Sequence, residues 1–222
     1  MKLLPISKSE AARYMGIRGE PDSAAAEIID RYEELVRERM SPRYVYRLFD
    51  ITEKLEGVCI PAAELLLTGE SIRRHLSGCR SVVLLAATLS AEADKLIRQA
   101  QVDGMAEALA ADALCSAAIE QVCNRAEEEI FSQVEAPFRT WRFSPGYGDL
   151  PIDVQQGFAA ALNAQRRIGL TVTESCLLVP TKSVTAIIGI SDTPPADTGH
   201  GCAACNMRDR CAFSHSGGCG KK

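Results

Sequence analysis

The chain has 222 residues, 46% hydrophobic and 24% charged, which excludes global disorder and allows one large domain or two small ones. A net charge of −4 argues against a general nucleic-acid binder. No apolar stretch approaches the ~20 residues of a membrane span, and the opening "MKLLPISKSE" is too short in apolar residues for an export signal, so the expected location is the cytoplasm.

A short helical pattern covers residues 8–16. Asp22 or Ser23 then caps a stronger helix, in which Ile28, Ile29, Tyr32, Leu35 and Val36 recur at helical spacing until Pro42 stops it. "RYVYRLFDI" alternates and predicts a strand. Residues 61–76 mix a turn with a helix from Glu70 to Leu76, on whose charged segment His75 is expected to be exposed. "RSVVLLAATL" predicts a buried strand, and Ser90 starts a helix to about Ala100. The longest helix is expected over 103–131, Ala-rich, with Met105, Leu109, Ala113, Val122 and Ile130 on its packing face. "FRTWRFSPGYGDLP" is an irregular aromatic loop. A second Ala-rich helix spans Pro151 to Ile168, with Gly169 as its stop. Two strands, 171–178 and 183–191, follow through Pro180. The expected class is α+β: a twisted, mainly antiparallel sheet with long Ala-rich helices, plus a Cys-rich C-terminal tail. The expected division is 1–191 and 192–222.

Four features carry chemistry. The loop Arg142-Phe143-Ser144-Pro145-Gly146-Tyr147 offers a planar guanidinium for a carboxylate or phosphate, with Pro145 and Gly146 shaping the backbone. A tight turn with a solvated arginine is the plainer reading. Asp112, Ser116 and Glu120 share one face of the long helix, where an acid would receive a substrate ammonium or simply meet solvent. Glu174 lies in an otherwise apolar strand, more simply an edge residue than a catalytic acid.

The fourth feature is cysteine. Of nine cysteines, Cys59, Cys79, Cys115, Cys123 and Cys176 are scattered among apolar neighbours, while four fall in the last 21 residues. The spacing Cys202-x2-Cys205-x5-Cys211-x7-Cys219 suits a tetrahedral zinc or an iron–sulfur cluster. His215 offers a three-Cys-one-His alternative that would free Cys219.

At the loop and the following segment the chain resembles the activation (reactivation) domain of cobalamin-dependent methionine synthase, in a free-standing version. That family carries Arg-x-x-Pro-Gly-Tyr, here Arg142, Pro145, Gly146 and Tyr147. After a helix it carries a Leu-Thr-Glu-Ser segment and a proline, here Val172-Thr173-Glu174-Ser175 and Pro180, then Ser183-Val184. Its preceding helix carries an Asp and, eight residues later, a Glu; Asp112 and Glu120 have that spacing. The likeness covers about 110–191. The family's N-terminal acidic segment has no clear match before residue 60, and the fused domains lack the cysteine tail.

The resemblance implies S-adenosylmethionine binding in support of reductive methylation of cob(II)alamin on a partner methionine synthase. Arg142 would then hold the ligand carboxylate and Glu120 its ammonium, with Pro145, Gly146 and Tyr147 shaping the pocket. The implied partners are the synthase's corrinoid domain and a flavodoxin- or ferredoxin-type electron donor, with no membrane and no nucleic acid. An iron–sulfur cluster in the tail would relay the electron; zinc would not. Two other readings stand beside this one. One is an iron–sulfur carrier for another corrinoid enzyme, and the other is a zinc-tail adaptor without chemistry.

Overall fold

The computed structural model describes residues 2–195. Cys202, Cys205, Cys211, Cys219 and His215 lie outside the described residues.

Helix formation follows the caps and breakers. α1 (Lys8–Tyr14) starts at Ser7, whose hydroxyl accepts from the Glu10 amide. α2 (Ser23–Arg39) starts at Asp22, whose carboxylate accepts from the Ala25 amide at 2.8 Å. β1 (Arg43–Asp50) follows Pro42. β2 (Thr52–Lys54), β3 (Gly57–Ile60) and β4 (Leu65–Leu67) form an antiparallel three-stranded sheet, with a short 3₁₀ turn at Pro61–Ala63. That sheet is absent from the sequence-based reading, because β2 is exposed at every position and shows no alternation. α3 (Glu70–His75) leads to β5 (Ser81–Thr88), buried at all eight positions, as its continuous apolar run requires. α4 (Ala91–Asp103) and α5 (Met105–Gln133) are separated by Gly104 alone. β6 (Phe138–Arg139) is followed by α6 (Val154–Leu162), α7 (Ala164–Ile168), β7 (Thr171–Val172), β8 (Leu178–Val179) and β9 (Ser183–Ser191).

The class is α+β, as expected. A four-stranded sheet has the order β1-β5-β9-β6, with β6 antiparallel to β9, and β7 pairs antiparallel with β8. Three expectations fail locally. The single helix over 151–168 is broken at Asn163, which adopts a left-handed φ of 51° that asparagine tolerates better than most residues. The strand over 171–178 shrinks to two residues, because Thr173 turns the chain: its hydroxyl accepts from the Leu177 amide at 3.0 Å. Glu174 is consequently exposed in a turn, not set in a strand.

The described residues divide into two compact units. The first comprises Met1–Tyr46, Leu85–Glu135 and Ala159–Thr185. Its axis is α5, against which α1, α2 and α4 pack. Alanine makes this possible: it favours the helix and leaves room for a neighbour to approach. Ala111, Ala113, Ala117 and Ala118 are all buried, with Ile29, Tyr32 and Val36 of α2 and Leu96 of α4 within one core. Met105 (86% exposed) and Leu109 do not face that core, contrary to expectation. They sit in the first turns of α5, where Ala108 and Ala111 take the inward positions.

The second unit comprises Arg47–Leu84, Ala136–Phe158 and, among the described residues, 186–195. Phe49, Val58, Ile60, Leu67, Ile72, Leu76 and Phe143 are buried in it. Among the described residues no helix is long and apolar enough to cross a membrane.

Candidate functional site

The second unit holds the loop that carries Arg142, and it holds it firmly. The anchor is Thr140, which is 3% exposed. Its hydroxyl accepts from the Gly189 amide and shares a hydrogen bond with Nε2 of His75, each at 2.8 Å. Its own amide donates to the Gly189 carbonyl at 3.0 Å. Three residues on, Phe143 exchanges two backbone hydrogen bonds with Ile187, at 2.7 and 3.0 Å. Arg142 is thus fixed between two points of attachment to the β9 segment.

Aromatic rings fill the space beneath. His75 is 1% exposed, not exposed as its charged sequence neighbours suggest. Its ring meets Trp141 edge-on at 4.7 Å between centroids and Phe143 at 4.9 Å. Tyr147 lies 5.9 Å from Phe143 and 6.4 Å from Trp141, with 58% of its surface exposed. The indole Nε1 of Trp141 is buried and has no hydrogen-bond partner among the described residues. A buried donor left open beside Arg142 is unusual in a folded protein and suits an acceptor on a ligand.

The turn itself is set by backbone. The Tyr147 amide donates to the Ser144 carbonyl, and the Gly146 amide to the Leu150 carbonyl, both at 3.0 Å. Pro145 is buried. Gly148 has φ +56°, and a Cβ there would stand 2.7 Å from Cβ of Ser71, so only glycine fits. Asp149 then clasps the start of α3: its carboxylate accepts from the Glu70 amide at 2.7 Å and the Ser71 amide at 2.9 Å. These two donors, Ser71 before Glu70, hold its carboxyl below the usual aspartate range.

The first unit carries the other expected site residues. Asp112, Ser116 and Glu120 lie on α5, and Ser116 and Glu120 are half-buried. Glu120 is close enough to Tyr14 of α1 that its charge adds to burial in raising that phenol's pKa. Asp112 is already engaged: its carboxylate meets Nζ of Lys182 at 2.8 Å, and the same ammonium donates to Ser116 Oγ at 2.9 Å. Lys182 follows the cis Val179–Pro180 bond and Thr181. Thr181 donates from both its amide and its hydroxyl to Asp94 of α4. Ser183 donates to Thr88 Oγ1 at 2.8 Å. Cys115, beneath this turn, has its thiol pushed up to about 12 by burial. Among the described residues no group of three or more His, Cys, Asp or Glu side chains could hold a metal.

Arg142, Pro145, Gly146 and Tyr147 are therefore brought together within one unit, while Glu120 stands on α5 in the other. The family described as "Vitamin B12 dependent methionine synthase, activation domain" matches residues 84–194, half of the chain. The chain belongs to this family. The match includes Glu120, the Arg142–Tyr147 turn and Lys182. The activation-domain fold also appears in the solved crystal structure of the MetH reactivation domain bound to AdoHcy. The two share 15% sequence identity at a TM-score of 0.65, over 88% of this chain and 76% of that one. No curated protein matches the chain.

Sequence reasoning missed His75, Thr140, Asp149 and Lys182. For Asp149 the local pattern pointed elsewhere: it stands just before the helix expected from Pro151, whereas the amides it meets, those of Glu70 and Ser71, lie 79 and 78 residues away in the chain. For His75 and Thr140 no local signal existed, since their bond joins residues 65 apart in the chain.

Proposed function

We propose that this activation domain binds S-adenosylmethionine and supports reductive methylation of cob(II)alamin in a partner cobalamin-dependent methionine synthase. The observation that carries the reading is that the family match spans both Glu120 and the braced Arg142–Tyr147 turn. In this reading Arg142 holds the ligand carboxylate through its planar fork of donors. Glu120 holds the ligand ammonium. The backbone at Pro145 and Gly146 and the exposed ring of Tyr147 shape the pocket, and the open indole N–H of Trp141 suits a ligand acceptor.

The chemistry needs little from side chains. The sulfonium supplies an activated methyl group, and the partner's reduced corrinoid supplies the acceptor. The domain's work is to hold the methyl in line and to exclude water, which is the large entropic part of such a transfer. The electron comes from a flavodoxin- or ferredoxin-type donor. The protein acts in the cytoplasm in this reading.

Residues 1–191 form the activation-like part, and 192–222 a metal-binding tail in which Cys202, Cys205, Cys211 and Cys219 take an iron–sulfur cluster or zinc. A cluster would relay the electron, and a zinc ion would only fold the tail. Metal analysis with an anaerobic visible spectrum separates them: iron with visible absorbance supports the relay, and one zinc in a colourless protein removes it.

The test of the main reading is calorimetry with S-adenosylmethionine, wild type beside Arg142→Ala. Losing a charge-assisted pair of about 1.5–3 kcal/mol weakens binding roughly ten- to a hundredfold. Equal binding by the two proteins takes the carboxylate away from Arg142. No binding by folded wild type, alone or with a cobalamin-loaded synthase fragment, overturns the reading.

A further inference from the structure

Lys182 stands out in the first unit. Its side chain is only 15% exposed, and its Nζ meets a carboxylate at 2.8 Å. It sits between Asp112 and Ser116 of α5, the two residues one and two turns before Glu120 on the same helix face. The sequence pattern alone makes that face an acidic stripe. In the structure one of its carboxylates is already neutralised by an internal ammonium. The carboxylate of Asp94, pinned by Thr181, stands in the same neighbourhood: Cys115 senses Lys182, Asp112 and Asp94 together.

We propose that Lys182 is a specificity-determining residue: by neutralising Asp112 it makes the Glu120 side of α5 one charge less negative and limits how far that face prefers a cationic ligand over its neutral product. The proposal rests on the reading that Glu120 receives the ligand ammonium. S-adenosylmethionine carries an ammonium, a carboxylate and a sulfonium. S-adenosylhomocysteine, left when the methyl departs, lacks the sulfonium charge. Both present the same ammonium and carboxylate, so the charge of the surrounding face separates them. Asp112 lies about 12 Å along the helix from Glu120, eight residues at 1.5 Å each. At the low ionic strength chosen for the titrations, where screening is weak, one extra unit charge about that far from the ligand's sulfonium, across a surface of dielectric about 40–80, changes the affinity for the cation by about two- to threefold.

The experiment measures dissociation constants for both ligands by calorimetry and follows their ratio, product over methyl donor. Lys182→Met should raise the ratio about two- to threefold. Lys182→Arg should leave it unchanged. Lys182→Met with Asp112→Asn restores the net charge and should return the ratio to the wild-type value. Asp112→Asn alone leaves Lys182 uncompensated and should lower the ratio by a similar factor, which keeps the test open if Lys182→Met folds poorly. A residue that only straps the 180–183 turn to α5 would weaken both ligands together and leave the ratio fixed. That outcome overturns the proposal while sparing the functional reading. Failure of folded wild type to bind either ligand overturns both.

Discussion

Thr140→Val isolates what holds the Arg142 loop in place. Valine keeps the shape of threonine and removes one oxygen. That oxygen serves two buried partners, the Gly189 amide and the His75 ring, each at 2.8 Å. Each partner deprived of its hydrogen bond in a dry site costs about 1–3 kcal/mol, so the substitution should cost about 2–6 kcal/mol. Thr140→Ser keeps the oxygen and loses one methyl, at about 1 kcal/mol. The reporter is built in. Trp141 is the one tryptophan of the chain and lies 4.7 Å from the His75 ring. Urea unfolding followed by its fluorescence reads this unit directly. The valine variant should be destabilised by at least about 1 kcal/mol more than the serine variant. If serine costs as much as valine, the site is held by packing, and the hydrogen-bond argument for the loop fails.

Gly148→Ala should cost about 2–4 kcal/mol, combining a left-handed backbone with a clash against Ser71. A double-mutant cycle with Ser71→Gly isolates the clash as a coupling of about 1–3 kcal/mol, and a coupling near zero would show that the turn shifts without strain. Asp149 makes an acid-side prediction. Its carboxyl is lowered in the folded protein, so its stabilisation is complete above the unfolded value of about 3.9 and is lost as pH falls through the lower native value. Asp149 is exposed, so salt shrinks the effect. Urea midpoints between about pH 6 and pH 2 should fall more steeply for wild type than for Asp149→Asn, and parallel curves would remove the helix clasp as the cause.

The sequence by itself determined the elements whose signals are local. Asp22 and Pro42 bound α2, the unbroken apolar run makes β5, and the alanine content makes α5 long. It also held the family motif, because Arg142, Pro145, Gly146 and Tyr147 fall within six consecutive residues. Tertiary structure decided what depends on contacts between distant residues. Exposure of Met105 and burial of His75 both run against their local patterns, since each follows from which face a neighbouring element covers. The acidic stripe is the clearest case. Spacing put Asp112 and Glu120 on one face, but only the chain's return at Lys182, 66 residues beyond Ser116, decided that Asp112 is paired with an internal ammonium. A charge can be read from one residue, whereas its neutralisation needs two that only folding brings within 3 Å.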